Sequence, residues 1–212
     1  MIQTVSNIIM KGGKVLTRNT EIHRRQGDMD GACAVYCVMM CLLRLGYVKK
    51  ADLEVYNLAD KRERKGKLLY ELLENNGLIK SGYSYVELKK EIERLTKGDI
   101  KVTRKAPRSQ DYNVQIITDL IDDDIAPIIS VEWSNFGAHA LYAIGYEAEE
   151  EEGIITKILC LDPGAVSPEV SSWNSYLEVK NTIGDYPIKH IAINMNPSKC
   201  RLSDMLILEL SD

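Results

Sequence analysis

Residues 24–46 read RRQGDMDGACAVYCVMMCLLRLG, three cysteines at four-residue spacing in the most apolar part of the chain, directly after a polar run holding Gln26, Asp28 and Asp30. The segment from Cys33 to Leu45 is apolar almost throughout and stops at Gly46, a residue that suits the left-handed end of a helix. On that helix Cys33, Cys37 and Cys41 project from nearly one face. Zinc calls for four ligands, and neither a paired CxxC nor the three-cysteine iron–sulfur spacing of radical enzymes is present, so no metal is expected. Cys37 and Cys41 read as small hydrophobes inside a buried helix. Cys33 differs because it falls where a Gly-containing loop becomes helix. There the free backbone N–H groups and the positive end of the helix dipole stabilise a thiolate.

Outward from this stretch, 212 residues suit one domain with a substantial interior. With 45% hydrophobic and 27% charged residues and a net charge of -4, the composition is globular and gives no general attraction to nucleic acid or anionic membrane. The uncharged apolar run from Ala32 to Leu43 is shorter than the roughly 20 residues of a membrane span. The opening MIQTVSNIIMKGGK has no signal-peptide pattern. Five cysteines, an odd number without paired spacings, fit free thiols in a reducing compartment, and a cytoplasmic protein is expected.

The chain divides into two patterns, a helical part about 30–123 and a sheet part about 124–212. Helical periodicity covers Cys33 to Leu45, KLLYELLENNG ending at Gly77, SYVELKKEIERLTKG with a Ser84 to Glu87 capping box and a Gly98 stop, and NVQIITDLIDDD. DIKVTRK, around Val102, reads as a strand among them. After Pro127 come IISVEW, HALYAIGY, ITKILCLD, YLEVK, HIAINM and MLILEL, separated by turn residues. Helices followed by strands, with no helix-length segment between strands, argue an α+β fold with an antiparallel sheet.

A nucleophilic cysteine needs a base, and the chain has three histidines. His23 lies in a charged stretch and His190 beside Lys189, so solvated or edge positions are expected for both. His139 opens a strand of small and apolar residues after Gly137. HALYAIGY and ITKILCLD flank EAEEEEG, which reads as a hairpin tip. With its centre between Glu150 and Glu151, His139 and Asp162 become direct cross-strand partners on one face, close enough for the carboxylate to hold the imidazole. A one-residue slip would place them on opposite faces. Taken alone, Asp162 in LDPG also reads as a turn former before Pro163.

The order Gln26, Cys33 at a helix start, His139 after small residues on a strand, and Asp162 followed by Pro163 resembles a papain-like cysteine peptidase. It is most similar to the compact bacterial branch that includes the bacteriocin-leader peptidases, over about Gln26 to Trp173. The resemblance implies an N-terminal helical lobe with the Cys helix packed on a C-terminal antiparallel sheet that carries His139 and Asp162. It also implies that the Gln26 amide completes an oxyanion hole, and that a peptide or isopeptide bond of a protein substrate is cleaved through a thioester without a cofactor. An acyltransferase or transglutaminase would use the same site, and a non-catalytic binding module would keep only the fold. Trp173 either shields the His139 and Asp162 pair or packs as a core aromatic. KRERKGK at Lys61 to Lys67 reads as a solvated surface, and Gly12 and Gly13 open no helix of the kind that cradles phosphate.

Overall fold

The computed structural model describes residues 1–27, 31–53, 60–75, 83–135, 137–179 and 183–211. Four short strands come first: β1 (Ile2–Thr4), β2 (Ile9–Lys11), β3 (Lys14–Thr17) and β4 (Thr20–Glu21). β2, β3 and β4 form a small antiparallel sheet, and Gly12 with Gly13 makes the tight turn between Lys11 and Lys14. None of these strands exceeds four residues, too short for an alternating pattern to show in the sequence.

The helices are α1 (Cys33–Leu45), α2 (Arg64–Leu69), α3 (Tyr85–Thr96) and α4 (Gln110–Asp122). Gly46 closes α1 in the left-handed conformation at φ 77°. α2 runs on as a π-helical segment, Tyr70–Asn75, and the expected stop at Gly77 lies outside the described residues. Ser84 and Glu87 form the expected reciprocal capping box on α3, and Lys97 takes the left-handed position one residue before Gly98. α4 starts earlier than NVQIITDLIDDD, because the Ser109 hydroxyl accepts from the Tyr112 N–H and caps it.

The remaining strands are β5 (Ile100–Lys105), β6 (Ile128–Glu132), β7 (Ala138–Ala148), β8 (Ile155–Leu161), β9 (Ser175–Glu178), β10 (Ile188–Ala192) and β11 (Ser198–Leu210). All pairings are antiparallel. The strand order β7-β6-β11-β10-β9-β8 returns to β7 through a direct β7–β8 pairing, so the expected sheet closes into a six-stranded barrel. β1 extends the barrel beside β7, and β5 pairs with the far half of β11. α1 packs on β7, β6 and β11, α4 on β7, β1 and β11, and α3 on β5 and β11. Their apolar faces share one core, in which Val38, Met40, Leu42, Ile117, Ile128, Leu141 and Leu206 have no exposed surface.

The hairpin register corrects the sequence reading. Tyr142 pairs with Leu161 and Ala143 with Cys160, while Gly145 pairs with Leu159 after a bulge. The ladder therefore runs two residues away from the register that would oppose His139 to Asp162, and β8 ends one residue before Asp162. Glu149 N–H bonds to Ile154 O, so the turn is centred later in the acidic tip than Glu150 and Glu151. At the Tyr142 and Ala143 end of the hairpin the shift is even and keeps His139 and Asp162 on one face, which is why the two residues still meet.

Candidate active site

α1 begins with Ala32 as its N-cap, without a side-chain cap and without an acidic residue in the first turn. The first backbone N–H groups of the helix thus point toward Cys33 and its surroundings rather than to a capping oxygen. β8 pairs with β7 only from Tyr142 onward, which leaves the edge at Ala138–Leu141 open. The start of α1 docks at that edge, where the Ala140 N–H donates to Cys33 Sγ at 3.3 Å.

His139 and Cys33 are hydrogen-bonded to each other, and His139 Nε2 lies 2.6 Å from Asp162 Oδ1, which leaves Nδ1 for the sulfur. Burial alone pushes the Cys33 thiol up, but the hydrogen bond and charge of His139, with the Ala140 and Ala34 N–H groups, hold it below its ordinary value. Burial likewise lowers an imidazole, and here the bonds to Asp162 and Cys33 outweigh it and raise His139. The two shifts together favour the thiolate–imidazolium form of the pair over the neutral one. The other four cysteines go the opposite way: burial raises Cys37 and Cys160 well above the usual thiol range, Cys41 to about 11 and Cys200 to about 12.

Asp162 has no exposed surface. Its Oδ1 accepts from the Gly164 N–H at 2.7 Å as well as from His139. Its main chain is clasped by Asn174, whose Oδ1 accepts from Asp162 N at 2.6 Å and whose Nδ2 donates to Asp162 O at 2.9 Å. Burial raises a carboxyl, yet the bonds and charges of His139 and His190 hold this one well below the usual carboxylate range. The turn reading of LDPG and the site reading are therefore both realised in one residue.

Gln26 is anchored through its backbone, whose N–H donates to Pro163 O at 2.8 Å. Its side chain is half-buried, and its Oε1 is buried with no hydrogen-bond partner among the described residues. The structure thus brings Cys33, His139 and Asp162 into one connected chain and ties Gln26 to the turn beside them.

Two expectations are overturned. His23 and His190 are neither solvated nor at an edge, with 4% and 5% of their surface exposed. His23 joins the same turn: Nδ1 meets Ser167 Oγ and Nε2 meets Asp162 O, both at 2.9 Å. His190 approaches Asp162 from the other side. Of the two readings of Trp173, the core aromatic is the one found, and the ring against His139 is a different one. Trp133, just past β6, lies 6.1 Å from His139 between ring centroids, while Trp173 packs on the core. Trp133 is held by its Nε1–H donating to Ser198 Oγ at 2.8 Å. The alternation Ile188, His190, Ala192 along β10, all inward, is the sequence signal that marks His190 as interior. Among the described residues, no group of three or more His, Cys, Asp and Glu side chains is arranged to hold a metal ion.

No family model matches the chain, and no curated protein matches it significantly. Among solved structures, the crystal structure of UfSP from C. elegans superposes with a TM-score of 0.50 at 15% identity, covering 99% of this chain and 34% of that one. The chain spans about a third of that protein's length. At this identity the likeness speaks to the fold alone and is consistent with a papain-like α+β architecture.

Proposed function

We propose that the protein is a cysteine hydrolase that cleaves an amide bond, peptide or isopeptide, through Cys33, His139 and Asp162. The observation that carries this reading is the contrast among the five thiols, since only Cys33 is both accessible and held below its ordinary pKa. The Cys33 thiolate attacks the carbonyl carbon, and the C–N bond breaks as the His139 imidazolium gives its proton to the leaving amine. His139, now neutral, takes a proton from water as that water attacks the thioester. The acid leaves, and the thiolate and imidazolium are restored. The Cys33 N–H and the Gln26 amide stabilise the oxyanion, a contribution of about 3 to 4 kcal/mol per donor. A place in the compact bacterial branch rests on the spacing of Gln26, Cys33, His139 and Asp162 alone.

Digestion of a mixed peptide pool, read by mass spectrometry, tests the activity. The wild-type protein is expected to generate new termini that Cys33→Ser does not. Equal cleavage by both proteins, or none by either across pools of peptides and isopeptide-linked substrates, overturns the hydrolase reading.

A further inference from the structure

The carboxylate of Asp162 has two oxygens, and the site described above uses one. Oδ1 receives His139 and the Gly164 N–H, whereas Oδ2 is turned toward His190 Nε2 at 3.2 Å. The two atoms lie within reach of each other, and neither has another hydrogen-bond partner among the described residues. His190 is boxed in on every side. The Trp133 ring lies 6.2 Å away from the β6 side and the His139 ring 6.4 Å away from β7, and Asp162 faces it from the end of β8. On β11, Ser198 is its ladder partner and the neutral Cys200 thiol is hydrogen-bonded to its backbone. A leucine would fill this interior position without bringing a polar nitrogen to a buried anion.

We propose that His190 is a positioning residue of the site, presenting Nε2–H to Asp162 Oδ2 and fixing the rotation of the carboxylate so that Oδ1 stays on His139. This rests on the reading of Cys33, His139 and Asp162 as the reactive group. A carboxylate turns about its Cβ–Cγ bond over a broad, two-fold profile. Donors on Oδ1 alone leave Oδ2 as a buried charged oxygen with no hydrogen-bond partner, an arrangement that is relieved by rotation away from His139. His190 removes that incentive. The His139 imidazole is then held from behind while it faces Cys33, and the thiolate depends at one remove on a residue it does not touch.

Two measurements test this. In 15N-labelled wild-type protein near pH 7, the His190 ring nitrogens are expected to report a proton on Nε2. A bare Nε2 facing Asp162 overturns the proposal, whether or not any variant folds. The second measurement follows the rate of Cys33 alkylation by iodoacetamide against pH, site-resolved by mass spectrometry, with thermal melting alongside. His190→Leu is expected to slow alkylation near pH 6 by about tenfold and to move the rise in rate to higher pH. His190→Gln, which keeps an N–H at similar reach, is expected to recover most of the rate, and His190→Met replaces the leucine variant if that one unfolds. A wild-type rate and midpoint in the apolar variant, or no recovery in His190→Gln, overturns the proposal. His139→Ala separates the two readings: if it leaves Cys33 alkylation unchanged, the site reading fails, and if it alone slows the reaction, only the role of His190 does.

Discussion

Cys37 lies one turn along α1 from Cys33 and has no exposed surface, and the burial that makes it inert would do the same to Cys33 without His139. The sequence carries this distinction, because Cys33 alone sits at the loop boundary. It does not carry the role of His190, since the alternation along β10 marks the residue as interior without saying which buried group it faces. The tolerance of the site is set at Gly164. A methyl group there would lie 3.2 Å from Asp162 Oδ1 and 3.4 Å from His139 Cε1. Oδ1 is pinned between two donors and cannot retreat from that methyl without lengthening one of them. Gly164→Ala is therefore expected to slow Cys33 alkylation near pH 6 by about tenfold, corresponding to an overpacking cost of about 1.4 kcal/mol falling on the pair. An unchanged rate would show that the turn adjusts freely.

Among the elements, α1, α3, α4 and the strands after Pro127 are legible because their periods are long enough to read, and Ser84 with Glu87 marks the start of α3. The register of the β7–β8 hairpin is not legible, because bulges between Ala143 and Gly145 and between Glu147 and Ala148 add residues that no count from the turn can anticipate. α2 offers an element-scale test. A glycine inside a helix is normally improved by alanine, by up to about 1 kcal/mol. At Gly66 a Cβ would come within 2.1 Å of the Asp60 carbonyl oxygen, a backbone atom that cannot swing aside. Gly66→Ala is expected to destabilise the protein by about 1 to 3 kcal/mol instead, seen as a lower denaturant midpoint. A raised midpoint would mean that the 60–66 turn is not held as described.

For the whole molecule, the strands can be read from the sequence but their order cannot. The β6–β11 pairing joins Glu132 to Arg201, 69 residues apart, and no local pattern announces it. The buried pair at the end of the barrel also links stability to pH. Asp162 is held below its reference value of 3.8, so its contribution is present above that pH and is lost as pH falls through its depressed value. His139 is raised from 6.5 to about 10, so its contribution is full below 6.5 and is lost as pH rises through about 10. The stability difference between wild type and Asp162→Asn in urea is therefore expected to be largest at about pH 4 to 6.5 and to shrink toward pH 10. A difference that is flat across that range would show that the pair is not ionised in the folded protein.

The link from Cys33 to Ala140 spans 107 positions, and His139 and Asp162 come from the same late stretch of chain. During synthesis, His139 and Ala140, whose groups do most to make Cys33 acidic, are translated long after the thiol itself. An emerging polypeptide carries Cys33, Cys37 and Cys41 as ordinary thiols, and the ring of strands is not complete until β11 has been made. The acidity of Cys33 is thus acquired only by a finished molecule, and a truncated product carries the sulfur without the reactivity.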